Sequence, residues 1–307
     1  MLPFHAIRTE AELRRATAGL LKRWGAALLR GRLRCHFPRR AGLMRGERGM
    51  HFHMKPELFL QVSGSTTFTF PEEKVRVGPG ELCLVPAGLP HSELGRAQSG
   101  AGPFCNLVFA YHREEVVFHL ALANREGLPY IVLPSGIGLA GKGERAQLEA
   151  LLAPLAGWAE KGGPNWGAVR GSLLAHLSLL QEALERPPVP ADRDAEPPKV
   201  AQARRVVMQS LSMADLSAGS VARTLHSSSD YLSRLFRTAT GGTLSAYIDA
   251  QRMERARTLL ETSALNVAEV GRACGYDDPG YFARRFRRSL GASPRAYRRT
   301  ALRRHTA

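Results

Sequence analysis

Two groups of residues have the types and the spacing to do chemistry. The first is His51-x-His53-x3-Glu57, joined further along by His91. Alternation along a strand sends His51 and His53 to one face, and Glu57 shares their parity across Pro56. If a facing strand supplies His91, three imidazoles and one carboxylate with open positions form a set that suits Fe, Mn, Ni or Zn. The same four residues could instead line a pocket for a small-molecule effector or hydrogen-bond strand ends. The sequence demands no cofactor, and a divalent metal stays an open alternative. No further acid and base constellation accompanies the set, so no residue is read as catalytic and the chain is not expected to be an enzyme.

The second group is a set of arginines inside a repeat. Tyr231-Leu232-Ser233-Arg234-Leu235-Phe236-Arg237 is answered 50 positions later by Tyr281-Phe282-Ala283-Arg284-Arg285-Phe286-Arg287. On a helix, Tyr231, Leu232, Leu235 and Phe236 would bury one face and turn Asp230, Ser233, Arg234 and Arg237 outward. The matching outward set in the second copy is Gly280, Ala283, Arg284, Arg287 and Arg288. A guanidinium presented this way can bond a guanine edge bidentately in a major groove, and Ser or Ala lets the helix approach closely.

Each copy needs elements to position it. Residues 216–223 and 265–272 align at an offset of 49, so the second copy carries one extra residue in its turn. One supersecondary unit, helix, turn and helix, is used twice. Ser217 and Asn266, the latter with Glu269 three residues on, are N-cap residues for the first helices. The clusters at Ser227–Ser229 and Asp277–Asp278 cap the second helices, and Pro279 suits a first-turn position. Gly241 and Gly291 stop them where a positive φ is wanted. Between the copies, Thr243 to Glu261 reads as one helix. About 18 residues at 1.5 Å each give a strut of roughly 27 Å, close to the ~34 Å between successive major-groove faces on one side of a duplex.

Upstream, Leu58–Val62, Thr66–Phe70, Val75–Val77, Glu81–Val85 and Phe104–Phe109 read as short strands separated by Gly and Pro turns. Close spacing of this kind argues for an antiparallel sandwich or barrel. Residues 113–125, 143–160 and 165–186 read as helices. The last has a broad apolar stripe whose partner is either its own barrel or a second subunit. Thr9 to Glu12 forms a capping box in front of an N-terminal helix bearing Leu13, Leu20, Trp24 and Leu28. A docked helix with a solvated basic face is the expected reading; a DNA-contacting arm and a transit peptide are the alternatives.

Composition narrows the classes. The chain has 307 residues and a formal charge of +16, with 44% hydrophobic and 23% charged residues. That excludes a largely disordered chain and suits about two domains. No apolar run approaches the ~20 residues of a membrane-spanning helix. Four scattered cysteines form no C-x-x-C and read as reduced cytosolic thiols. Residues 201–307 hold 18 arginines against 8 acids, and residues 1–45 hold 11 basic residues against 2 acids. The middle is mildly acidic. Basic ends point to a polyanion, either nucleic acid or an anionic membrane.

The motifs Tyr231 to Phe236, Ala246-Tyr247, Arg252 to Ala256, Gly275 to Phe282 and Gly291 to Arg298 resemble the DNA-binding domain of AraC-type transcription regulators, over about residues 204–299. The resemblance implies two helix-turn-helix units bridged by a helix and reading two adjacent major-groove segments. By position it puts Asp230, Ser233 and Arg234 against bases in the first unit and Gly280, Ala283 and Arg284 in the second. Gly280 and Ala283 have no hydrogen-bonding side chain, which leaves the second unit's reading to Arg284. The His51 to Glu57 set with Gly64, followed by Gly80-x5-Pro86-x-Gly88-x2-His91, resembles the two motifs of the cupin barrel, with Gly95 where an Asn is often found.

The expected architecture is therefore α+β. It comprises a basic N-terminal arm or helix over 1–45, a cupin-like effector-sensing barrel over 46–112 and a helical dimerisation or relay segment over 113–186. A Pro-rich linker over 187–199 and an all-α DNA-binding domain over 200–307 complete it. Expected partners are double-stranded promoter DNA, a small-molecule effector, a second copy of the chain, and RNA polymerase if the protein activates; no membrane is expected. The expected location is the bacterial cytoplasm, on the nucleoid. Two rivals stand beside this reading: a metal-dependent cupin enzyme that its basic C-terminus localises on DNA, and a non-specific DNA-compacting protein.

Overall fold

A computed structural model describes residues 4–38, 50–53, 55–97, 103–111, 115–138, 143–152 (145 and 149 apart), 166–186, 196–263 and 265–305. The fold is mixed α+β, with a sheet-rich N-terminal part. Two compact units emerge, one of residues 1–41 and 53–195, the other of residues 42–52 and 196–307. The segment before His53, expected at the start of the barrel, is thus counted with the C-terminal unit.

In the first unit, β1 (Cys35–His36), β2 (Glu57–Ser63), β5 (Leu82–Val85), β7 (Cys105–Tyr111), β8 (Glu115–Ala123) and β9 (Pro129–Gly138) form a six-stranded sheet in the order β1-β5-β2-β7-β8-β9. Three more strands, β3 (Ser65–Thr69), β4 (Lys74–Val77) and β6 (Ser92–Arg96), form a second sheet in the order β4-β3-β6. All pairings are antiparallel except β1 with β5. Gly64 turns the chain from one sheet to the other at φ +66, where an added Cβ would lie 2.5 Å from the Arg96 carbonyl oxygen. Only glycine fits both constraints.

The large sheet is covered on both faces. Leu58, Leu60, Leu82, Leu84, Leu107, Phe109, Phe118 and Leu120 pack in one core with α1 (Glu10–Leu29) and α2 (Trp166–Glu185). Their neighbours of opposite parity, Phe59, Cys83, Val85, Val108 and Ala121, pack in another core with Phe68, Phe70 and Val77 of the small sheet. This double cover corrects the helix expected at 113–125: its described part is strand β8, antiparallel to both β7 and β9. A strand buried on both faces loses the polar alternation that would mark it, and Val116 to Ala121, apolar but for His119, then carries no strand period. The segment expected to be helical over 113–186 accordingly begins as two strands. The helix expected at 143–160 lies largely outside the described residues, as does most of the linker expected at 187–199.

The N-terminal helix forms where its capping box predicts. Thr9 accepts from the Glu12 amide, and Glu12 accepts from the Thr9 amide. Leu13, Leu20, Leu21, Trp24 and Leu28 are buried against α2 and the sheet. Arg14 donates to the carbonyls of Gly136 and Leu184, while Arg15, Lys22, Arg23 and Arg30 stay exposed. The apolar stripe of α2 (Val169, Leu173, Leu177 and Leu180) meets its own unit's core.

The second unit is helical: α3 (Pro198–Ser210), α4 (Ala218–Thr224), α5 (Ser229–Thr240), α6 (Leu244–Thr262), α7 (Val267–Ala273), α8 (Pro279–Leu290) and α9 (Pro294–His305). Phe52 joins it, because Arg255 of α6 donates to the Phe52 carbonyl at 2.6 Å and lies over its ring.

Two histidines of the first unit are buried in neutral form. His119 on β8 and His176 on α2 are both pushed down to about 3 by loss of solvent, and the Tyr111 hydroxyl bonds His176 Nε2. Below pH 6.5 the unfolded chain takes up a proton at each ring that the folded chain refuses until about pH 3, so stability falls as the pH drops. Each ring removes roughly 2 kcal/mol by pH 5. His91, lowered to about 4, and Glu93, raised to about 7, act in opposite directions and offset each other. The first unit's melting temperature should fall between pH 7 and pH 5, and His176→Asn should flatten the slope. A pH-independent transition would contradict neutral burial.

Candidate nucleic-acid interface

The two helix-turn-helix units are built by the same local rules. Ser217 caps α4 and Asn266 caps α7, each in a reciprocal capping box, the first with Ser220 and the second with Glu269. Ser228 caps α5 through the Tyr231 amide. Asp278 caps α8, accepting from the Gly280 amide at 2.7 Å and the Tyr281 amide at 3.0 Å. Those two bonds and the Arg284 charge hold the Asp278 carboxyl below its usual range. Both second helices end at glycines in the left-handed region, Gly241 at φ 75 and Gly291 at φ 76. The turn between helices also needs a positive φ. His226 supplies it in the first unit at φ 47 and Gly275 in the second at φ 76.

The burial sequence along α5 and the start of the following turn repeats residue for residue along α8. Leu232 and Phe236 are buried in the first, Phe282 and Phe286 in the second. Phe236 packs on Tyr247 with centroids 5.5 Å apart, and Phe286 packs on Tyr297 at 5.6 Å. That anchors each helix along one line and leaves the opposite line to solvent. Asp230, Arg234 and Arg237 are exposed and Ser233 half-buried; Gly280, Arg284, Arg287 and Arg288 are exposed and Ala283 half-buried. One apolar assignment changes. Tyr231 and Tyr281, expected on the buried faces, are 51% and 47% exposed. They lie in the first turn after the cap, ahead of the core contacts, and add an aromatic ring to each outward face.

The arginines divide by what they face. Arg285 pairs with Asp249 of α6, Arg257 pairs with Glu254 and Glu261, and Arg204 pairs with Glu196 while lying 4.7 Å from the Tyr247 ring centroid. Among the described residues Arg234, Arg237, Arg284, Arg287 and Arg288 form no salt bridge with a carboxylate, Arg284 acting on Asp278 only at longer range. Five guanidiniums on the outward faces of two capped helices make a surface suited to a polyanion. Arg223 and Arg272, exposed at matching places at the ends of α4 and α7, extend it. Their offset of 49 was the signal that could have singled them out.

Of the residues expected in a cupin-like barrel, those of the first unit sit in the inter-sheet core. Glu57 is buried at the start of β2 with the parity of Phe59, and His53 Nε2 lies 3.3 Å from its carboxylate. His91 is buried, its ring centroid 5.7 Å from that of His53 and 6.2–6.3 Å from those of Phe59, Phe68 and Phe70. His91 Nδ1 donates to the Leu89 carbonyl, which directs Nε2 toward Glu93 at 3.7 Å. The structure thus groups His53, Glu57 and His91 and adds Glu93, which the motif spacing did not single out. Gly95, where the cupin motif often has Asn, carries the Phe104 ring, which an added Cβ would meet at 2.8 Å.

Comparison with known proteins bears on the helical unit. A family model described as a helix-turn-helix domain matches residues 221–300. The arabinose operon regulatory protein of Escherichia coli K12 is 33% identical over 135 residues, which is 43% of this chain and 46% of that protein. The C-terminal unit contains an AraC-type helix-turn-helix domain. The transcriptional activator RhaR of Cronobacter sakazakii is 40% identical over 67 residues, 22% of this chain and 24% of its own. Among solved structures, the C-terminal domain of AraT, a response regulator from Geobacillus stearothermophilus, is 36% identical and covers 36% of this chain and 88% of that one, with a TM-score of 0.34. The DNA-binding domain of AdpA in complex with a target DNA is 32% identical, covering 34% and 95%, with a TM-score of 0.33. The chain spans less than half the length of the first two curated relatives it matches.

If the outward arginines of the AraC-type domain read bases, Arg234→Ala and Arg284→Ala should each cost about 1–3 kcal/mol on a selected site and much less on random DNA. Gel-shift titrations on both duplexes measure the difference. Equal weakening on both would reassign these arginines to phosphates.

Proposed function

We propose that the protein is a sequence-specific transcription regulator. Its AraC-type domain reads two adjacent major-groove segments of promoter DNA, and its N-terminal unit senses a small molecule. The observation that carries the reading is the pair of matched, capped helices whose five outward arginines form no salt bridge with a carboxylate among the described residues. The named relatives, an arabinose operon regulatory protein and the transcriptional activator RhaR, support regulation over the enzyme reading. Duplicated readers on one connecting helix favour sequence reading over non-specific compaction. Asp230, Ser233, Arg234 and Arg237 serve the first segment; Gly280, Ala283, Arg284, Arg287 and Arg288 serve the second. With Gly280 and Ala283 giving only close approach, Arg284 carries the second unit's direct reading. The proposal includes a homodimer in a bacterial cytoplasm, nucleoid association, and RNA polymerase as partner where the outcome is activation. No helix of the described residues is long and apolar enough to cross a membrane.

For the N-terminal unit we propose that His53, Glu57 and His91, with Glu93, contact the effector from between the sheets. The donor set also fits a divalent ion. An imidazole whose Nδ1 is held by a carbonyl offers Nε2 as a ligand, and such an ion would supply the charge that the buried Glu57 and half-buried Glu93 attract. Phe59, Phe68 and Phe70 crowd the same space, which favours a small, partly apolar effector over a large one.

A fragment of residues 196–307 should bind DNA by itself. If about five arginines meet phosphate or base, log affinity should fall with log salt at a slope of roughly −4. Filter binding between 50 and 300 mM salt gives the slope. A folded fragment that bound no DNA at low salt would move the activity elsewhere in the chain.

A further inference from the structure

Arg252 is 7% exposed at the centre of the AraC-type domain, and among the described residues it has no carboxylate partner. A buried guanidinium is costly unless its bonds are made, and a Leu or Met would fill the same space with less penalty. Its contacts run in two directions. Nη2 donates to the Met213 carbonyl at 2.6 Å, in the loop that leads into the first helix-turn-helix unit. The same carbonyl accepts from the Leu216 amide, so the bond holds the turn that delivers the chain to Ser217 and α4. On its other side the guanidinium lies 5.3 Å from the centroid of Tyr276, in the turn of the second unit. The Tyr276 ring packs in turn on Tyr281 and Phe282 at the start of α8.

The backbone has made room for this wedge. Gly275 sits at φ +76, and a Cβ there would lie 2.6 Å from Arg252 Nη2 and 2.8 Å from the Leu211 carbonyl oxygen. The turn of the second unit therefore touches the entry loop of the first, with the guanidinium between them. One turn earlier on α6, Asp249 pairs with Arg285 of α8. Two neighbouring positions of the connecting helix thus tie α8 to the helix, and one of them reaches the first unit as well.

From this geometry we infer that Arg252 is a positioning residue for DNA reading: it fixes the distance and rotation between the two recognition helices and so sets the spacing of base pairs the domain accepts. The inference rests on the reading of both helices as DNA readers. A rigid pair cannot follow an extra base pair between its segments, because the insertion rotates the second segment about the duplex axis by roughly a tenth of a turn. A domain loosened at Arg252 can follow it, at reduced affinity for the native spacing.

The test uses the full chain and duplexes selected by it from a random pool, each compared with a version carrying one base pair inserted between the two read segments. For the wild type the insertion should cost at least about tenfold, the loss of one bidentate base contact. For Arg252→Gln the penalty should shrink to less than about threefold, with unchanged far-ultraviolet circular dichroism and retained binding. Arg252→Lys, which keeps the donor but not the flat stacking surface, should fall between them. Should Arg252→Gln fail to fold, Arg252→Lys carries the test alone, and its insertion penalty should still fall clearly below that of the wild type. Failure of the wild type to select any sequence would overturn the proposed function itself. A wild type that selects a site but tolerates the insertion, or a folded variant that keeps the full penalty, would overturn only the role of Arg252.

Discussion

Burial of two side chains four residues apart on the second helix of each helix-turn-helix unit is the constraint on which the rest of the helical unit depends. Leu232 with Phe236, and Phe282 with Phe286, fix the rotation of α5 and α8 about their axes. Once that rotation is set, the outward residues have no choice of direction. The arginines at 234, 237, 284, 287 and 288 then project together because the core holds the opposite line. The caps and left-handed glycines decide where each helix begins and ends, and so which turn of it is free to approach a groove.

The same economy governs α6. It buries Leu244, Ile248, Met253, Ala256, Leu259 and Leu260, yet it also buries two arginines, Arg252 and Arg255. Both bond backbone carbonyls, and both lie over aromatic rings. A guanidinium can bond a carbonyl along its edge and stack on a ring with its face, which an ammonium or an aliphatic chain cannot do at once. In the first unit the corresponding constraint is the double cover of the large sheet. Helices lie on one face and the small sheet on the other, so the space left for polar chemistry is the stretch between the sheets that holds His53, Glu57, His91 and Glu93.

Most of the helical unit was legible in the sequence because its determinants are local. Capping boxes, a Pro at the first turn, terminal glycines and a 50-residue repeat each act within a few residues of where they are written. The N-terminal helix was legible for the same reason. Four features were not. Strand β8 lost its alternation because tertiary cover reached both its faces, and periodicity cannot separate such a strand from a buried helix. Tyr231 and Tyr281 fit the apolar spacing but precede the core, a fact of packing that spacing does not contain. Arg252 entered only as the first residue of a family motif, and the approach of Gly275 to Leu211, 64 residues apart in the chain, is what gives it neighbours. Glu93 escaped notice because the motif that reaches His91 leaves the position two residues further on unspecified.

The claim at the centre of this account is that one repeated unit reads DNA twice from a single rigid helical body. Hydroxyl-radical footprinting of the full chain on a duplex it has selected tests that claim most directly. The account predicts two protected segments on one side of the duplex, centred about one helical turn (10–10.5 base pairs) apart. A single protected segment, or uniform protection without sequence boundaries, would contradict it.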